Sequence, residues 1–138
     1  MNTVHSTDTE LLIEIDGIEE PTITTYFSRL NSGKYIATAE LFAEQGCLNP
    51  PFEQSIEGRE SIAKYLDKEA RGMIFCPESG SILIRDNDIA QYHVQGKVKT
   101  NYFTLDVSWL IKLNIDQEIL LVEVKLFAAL EELLKFSK

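Results

Sequence analysis

The rhythm of hydrophobic and polar positions changes about halfway along the chain. In the first half the apolar residues recur every three or four positions, the spacing of one helix face. Ile23, Tyr26, Phe27 and Leu30 share such a face in a segment opened by Pro21-Thr22 and stopped at Asn31-Ser32-Gly33. Tyr35, Ile36, Ala39, Leu41 and Phe42 predict a second helix, closed by Gly46. Ile56-Glu57-Gly58 leads into a third, in which Ile62, Tyr65, Leu66 and Ala70 keep helical spacing. Residues 47–55, which hold Pro50-Pro51-Phe52, read as extended and irregular.

The second half alternates instead. Residues 73–76, 81–85, 89–100, 102–113 and 119–127 predict strands, and residues 130–136 a closing helix. A short strand is also expected at 11–15, ended by Asp16-Gly17. From 90 to 102 the even positions are Tyr92, Val94, Gly96, Val98, Thr100 and Tyr102, against Gln91, His93, Gln95, Lys97, Lys99 and Asn101. One face of that strand is dry and the other wet. Val107, Trp109, Ile111 and Leu113 continue the dry face, as do Leu120, Val122, Val124 and Leu126. A sheet with one dry face needs a cover, and amphipathic helices supply it. The expected fold class is α+β: a cone-shaped, curved, mostly antiparallel sheet wrapped around about three N-terminal helices, with a cavity between the layers. The absence of repeats and Pro/Gly-rich linkers predicts a flexible tail over 1–10 and a single domain over 11–138.

Charge narrows the partners. The chain carries 22 acidic and 13 basic residues, a formal net charge of -9, in 138 residues of which 44% are hydrophobic. Such a field opposes phosphate backbones and anionic lipid surfaces, so neither nucleic acid nor stable membrane insertion is expected. Residues 1–10 lack the cationic-then-apolar order of a secretory signal, and no apolar run approaches the roughly 20 residues of a membrane span. Cys47 and Cys76 have neither metal-ligand spacing nor a disulfide framework. Together these imply a cytoplasmic protein.

Catalytic chemistry has no visible carrier. The predicted inward positions hold no acid or base; His93 and Asp106 fall on the wet parity, and His5 lies in the tail. Nucleophile elbows, zinc-protease motifs, phosphate loops and dinucleotide fingerprints are absent from the sequence, and His, Cys and carboxylates never cluster at metal-ligand spacing. No catalytic residue and no metal site is therefore assigned. The predicted interior instead collects Tyr26, Leu30, Met73, Phe75, Val98, Tyr102 and Trp109. An apolar passage with two phenolic donors suits a long apolar ligand carrying a polar end group.

Several segments resemble one family. Residues 22–31 (TITTYFSRLN), Leu41-Phe42-Ala43, Asn49-Pro50-Pro51-Phe52, Glu69, residues 77–80 (PESG), residues 94–100 (VQGKVKT) and the pieces Glu131 and Leu133-Leu134 are similar to the carboxy-terminal domain of the cyanobacterial orange carotenoid protein. The resemblance runs from about Leu11 onward and implies the nuclear-transport-factor-2-like (cystatin-like) fold. It also implies a stand-alone homologue of that domain, a soluble, non-enzymatic carrier that binds and transfers a ketocarotenoid of the canthaxanthin or echinenone type, non-covalently, in photoprotection. In the family a Tyr and a Trp hydrogen-bond the keto oxygen; the Tyr matches Tyr26 and the Trp falls on Tyr102. A cysteine that some homologues place beside that aromatic is Phe103 here, so no redox switch is carried over. A pigment longer than this domain implies a homodimer or hand-over to a helical carotenoid-binding protein. The rival readings are a small isomerase- or cyclase-type enzyme of the same fold, which needs a buried Asp or His, and a ligand-free dimerisation module.

Overall fold

The computed structural model describes residues 13–86 and 88–127. The expected tail over 1–10, residues 11 and 12, and the expected closing helix over 130–136 lie outside the described residues. Three helices and six strands follow in the order α1 (Pro21–Asn31), α2 (Tyr35–Ala39), β1 (Phe42–Asn49), β2 (Ile56–Glu57), α3 (Arg59–Glu69), β3 (Ile74–Arg85), β4 (Ala90–Lys99), β5 (Thr104–Leu113) and β6 (Ile119–Leu126). The expected α+β architecture is what forms: one sheet in the order β2-β1-β6-β5-β4-β3, with helices covering its dry face. Neighbours are antiparallel except β1 and β6, which run parallel.

Local chemistry explains α1. Pro21 supplies the first-turn φ, and the Glu20 carboxylate accepts from the Thr22 N–H at 3.1 Å, satisfying one of the free donors of the first turn. Ile23, Tyr26, Phe27 and Leu30 are buried, and Gly33 (φ 73°) turns the chain after Ser32. Arg59 then anchors the start of α3, donating from Nε to the Phe42 carbonyl at 2.8 Å. The buried cluster joins these helices to Val94, Val107, Trp109, Ile111 and Val122 of the sheet.

Four expectations are corrected. The second helix ends at Ala39, and Leu41 and Phe42 do not continue it. The Leu41 carbonyl accepts from Ile119 N–H at 2.9 Å, and Phe42 opens β1 opposite Ile119. A short apolar run fits either periodicity, and here parallel pairing with β6 decides it. Gly46 lies within that strand; a β-carbon there would come within 2.6 Å of the Ile119 carbonyl oxygen.

The strands expected at 73–76 and 81–85 are one bent strand, β3. Its register against β4 slips between Pro77 and Ser79 and again between Ile82 and Ile84. Pro77 is tolerated because β3 is the sheet's edge, where a missing N–H leaves no partner strand short. On β6 the bulge opposite Lys112 and Leu113 buries Ile119 and Val122, so Leu120 is not an inward residue. At 11–15, the described part forms only an isolated bridge between Ile15 and Ile18.

Candidate functional site

Between α1, α3 and the concave side of the sheet lies a cavity of about 230 Å³. Leu30, Leu66, Ala70, Met73, Phe75, Val98, Leu105, Val107, Trp109, Val124 and Leu126 give it apolar walls, with Pro50 and Pro51 beside them. Each wall residue has a local reason to face inward. Leu30 continues the buried stripe of α1, Leu66 that of α3, and Val98, Val107 and Trp109 occupy the dry parity of β4 and β5.

Of the seven residues singled out in the sequence, six line this one cavity: Tyr26, Leu30, Met73, Phe75, Val98 and Trp109. Tyr102 does not. It is 88% exposed, in the turn between β4 and β5. The Thr100 hydroxyl accepts from the Tyr102 and Phe103 N–H groups at 3.2 and 3.1 Å, and Thr100 N–H donates to the Phe103 carbonyl at 2.9 Å. These local bonds outcompete strand pairing, so the alternation stops at Lys99 and the inward placement expected of Tyr102 is lost.

The Tyr26 phenol brings a buried polar group to the cavity wall. Its ring is held edge-on against Phe27 (centroids 5.1 Å apart) and Phe42 (6.1 Å), and Phe27 in turn meets Trp109 at 4.8 Å. The residue is 2% exposed, yet among the described residues nothing hydrogen-bonds its hydroxyl. Burial pushes its pKa well above the ordinary tyrosine value, and neighbouring Tyr65 adds to the shift. The hydroxyl is therefore a neutral donor with no acceptor among the described residues.

Three further residues, to which no site role was assigned from the sequence, stand at the cavity mouth: Glu53, Tyr65 and Glu69. Tyr65 donates to Glu53 Oε2 at 3.1 Å. Partial burial, that hydrogen bond and the charges of Glu53 and Glu69 all raise the Tyr65 pKa. Helical spacing marked Tyr65 only as part of an apolar face. The turn that returns Glu53 to it leaves no periodic signal.

Asp106 and His93 do not line the cavity, whereas the carboxylates of Glu53 and Glu69 do, against the expectation that no acid or base would face it. Asp106 is on the far face of the sheet, where Lys97 Nζ donates to its Oδ1 at 2.6 Å, and His93 shares that wet parity. No group of three or more His, Cys, Asp or Glu is placed to hold a metal among the described residues. No helix among them is long and apolar enough to cross a membrane.

No family model matches the chain. It is 30% identical over 130 residues to the orange carotenoid-binding protein of Synechocystis sp., a match covering 91% of this chain and 41% of that protein. The orange carotenoid protein of Anabaena (Nostoc) sp. PCC 7120, in a structure binding canthaxanthin, superposes with a TM-score of 0.82 at 30% identity, over 93% of this chain and 42% of that one. The chain is a homologue of the orange carotenoid protein's carboxy-terminal domain. It thus spans about two fifths of the length of the orange carotenoid proteins it matches. The fold is nuclear-transport-factor-2-like, shared with an NTF2-like protein from Cytophaga hutchinsonii at 16% identity and a TM-score of 0.64, over 83% of this chain and 95% of that one.

Proposed function

We propose that the protein is a non-enzymatic carrier of a ketocarotenoid, whose keto-bearing ring enters the cavity and accepts a hydrogen bond from Tyr26. One observation carries this reading: a buried phenol without an acceptor among the described residues, bordering an apolar cavity. Leaving such a hydroxyl unpaired costs roughly 1–3 kcal/mol, and a ligand carbonyl would recover much of it. Homology to carotenoid-binding proteins supports the choice of pigment class. Leu30, Met73, Phe75, Val98 and Trp109 line the passage, and Tyr102, on the outside, has no part in anchoring the ring.

Magnitudes divide the labour. Covering about 300 Å² of pigment at roughly 25 cal/mol per Å² contributes on the order of 7 kcal/mol before association costs, whereas one neutral hydrogen bond adds about 1 kcal/mol net. The apolar walls hold the pigment, and Tyr26 orients it. At about 230 Å³ the cavity takes one end of a carotenoid, not its whole length. The remaining polyene then needs a second copy of the chain, or a helical carotenoid-binding partner, and transfer between such carriers in photoprotection is the role we assign. The setting we assign is the cytoplasm of a cyanobacterium.

Incubating the apoprotein with canthaxanthin tests the reading. A red-shifted, protein-bound absorption band is expected. No uptake, with unchanged thermal stability, overturns it.

A further inference from the structure

The mouth of the cavity has a chemistry opposite to its interior. Inside, Tyr26 offers a proton to a ligand acceptor. At the rim, the two charged lining residues are Glu53 and Glu69, both carboxylates and both exposed. Tyr65 spends its only proton on Glu53 Oε2, at 3.1 Å, which leaves the phenol oxygen and the other carboxylate oxygens as acceptors. The lining residues bring no Lys, Arg or His to answer them. Tyr26 and Tyr65 both line this cavity.

An end group that satisfied both layers would carry an acceptor and a donor side by side. A keto oxygen alone uses Tyr26 and leaves the rim to water. A hydroxyl beside the keto oxygen would have acceptors lining the same cavity, and a hydrogen bond to a charged acceptor is the stronger kind. We infer that Glu53, Tyr65 and Glu69 form a hydrogen-bond acceptor rim that selects carotenoids whose ring bears a hydroxyl next to the keto group. This selection rests on the reading of the cavity as a carotenoid site and assigns its specificity.

Parallel titration of the apoprotein with canthaxanthin, which has keto groups only, and astaxanthin, which has adjacent keto and hydroxyl groups, separates the two claims. Astaxanthin is expected to bind about tenfold more tightly, the worth of one good net hydrogen bond. The preference should collapse toward unity in the Glu53→Ala/Glu69→Ala double variant, which removes both carboxylate acceptors, and fall in Tyr65→Phe. Both glutamates are exposed, so circular dichroism of the double variant should match the parent. Equal affinities in the parent protein, or a preference that survives the double variant, overturn the selection and leave the carotenoid site standing. Failure to take up either pigment overturns the site itself, and the selection with it.

Discussion

The side chain of Asn31 closes two hydrogen bonds on the backbone of Phe75: its Nδ2 donates to the Phe75 carbonyl at 2.8 Å, and Phe75 N–H donates to its Oδ1 at 2.7 Å. The amide thereby behaves like a strand partner on the sheet's edge. It fastens the end of α1 to β3 beside Leu30 and Phe75, both of which line the cavity. Replacing Asn31 with Ala leaves both Phe75 groups dependent on water in a half-buried place, at a cost of about 1–3 kcal/mol. Urea unfolding should show that loss, and hydrogen exchange at the Phe75 amide should accelerate beyond what the global loss explains.

Much of this architecture was legible because burial is one-sided. The stripe of α1 and the parity of β4 from Ala90 to Val98 state which side is dry, and the cavity walls follow from those two faces. What escaped reading depended on partners remote in sequence. Phe42 is a strand residue because Ile119 pairs with it, and Ile119 rather than Leu120 turns inward because a bulge opposes Leu113. Tyr102 kept the even parity of its neighbours, but a hydroxyl two residues earlier converted the segment into a turn. The acidic rim was invisible for a related reason: Glu53 meets Tyr65 only through the loop that precedes β2.

The bend in β3 makes a separate test. At Gly96 a β-carbon would lie 2.7 Å from Pro77 Cα, 2.9 Å from Glu78 N, and against the Cys76 carbonyl oxygen closer still. Those neighbours are backbone, so relief requires β3 to move. Gly96→Ala is expected to cost about 2–3 kcal/mol by overpacking. At Gly33 nothing lies within 4 Å of the added carbon, and only the positive φ of 73° resists it, so Gly33→Ala should cost about 1 kcal/mol. Chemical denaturation of the two variants side by side checks the ranking, which fails if Gly33→Ala is the more damaging.

Alkaline titration reads the buried phenols. Tyr26 and Tyr65 both have folded pKa values raised above the ordinary 10.0, Tyr26 mainly by burial and Tyr65 by burial and then by Glu53. Below pH 10 both phenols are protonated whether folded or not, so pH has no effect through them. Above pH 10 the unfolded chain loses those protons first, and stability falls as pH rises toward the folded values. Absorbance near 295 nm is expected to show Tyr26 and Tyr65 ionising above pH 10. Tyr26→Phe should flatten the alkaline decline, and an unchanged slope would contradict its placement.

The same substitution separates structure from ligand binding. In the apoprotein the Tyr26 hydroxyl has no acceptor among the described residues, so removing it relieves a desolvation cost and deletes no bond. Tyr26→Phe is therefore expected to raise apoprotein stability by about 1 kcal/mol, or about 3 °C in melting temperature for a domain of this size. With canthaxanthin present the order should reverse: the parent protein gains the hydrogen bond, the variant does not, and the bound absorption band moves while affinity falls by less than about tenfold. Tyr102→Phe, at a residue 88% exposed, should change neither the melting temperature nor the band. If Tyr102→Phe moved the band and Tyr26→Phe left it in place, the pigment's polar end would sit outside the cavity, and the phenol among Phe27, Phe42 and Trp109 would be a packing residue only.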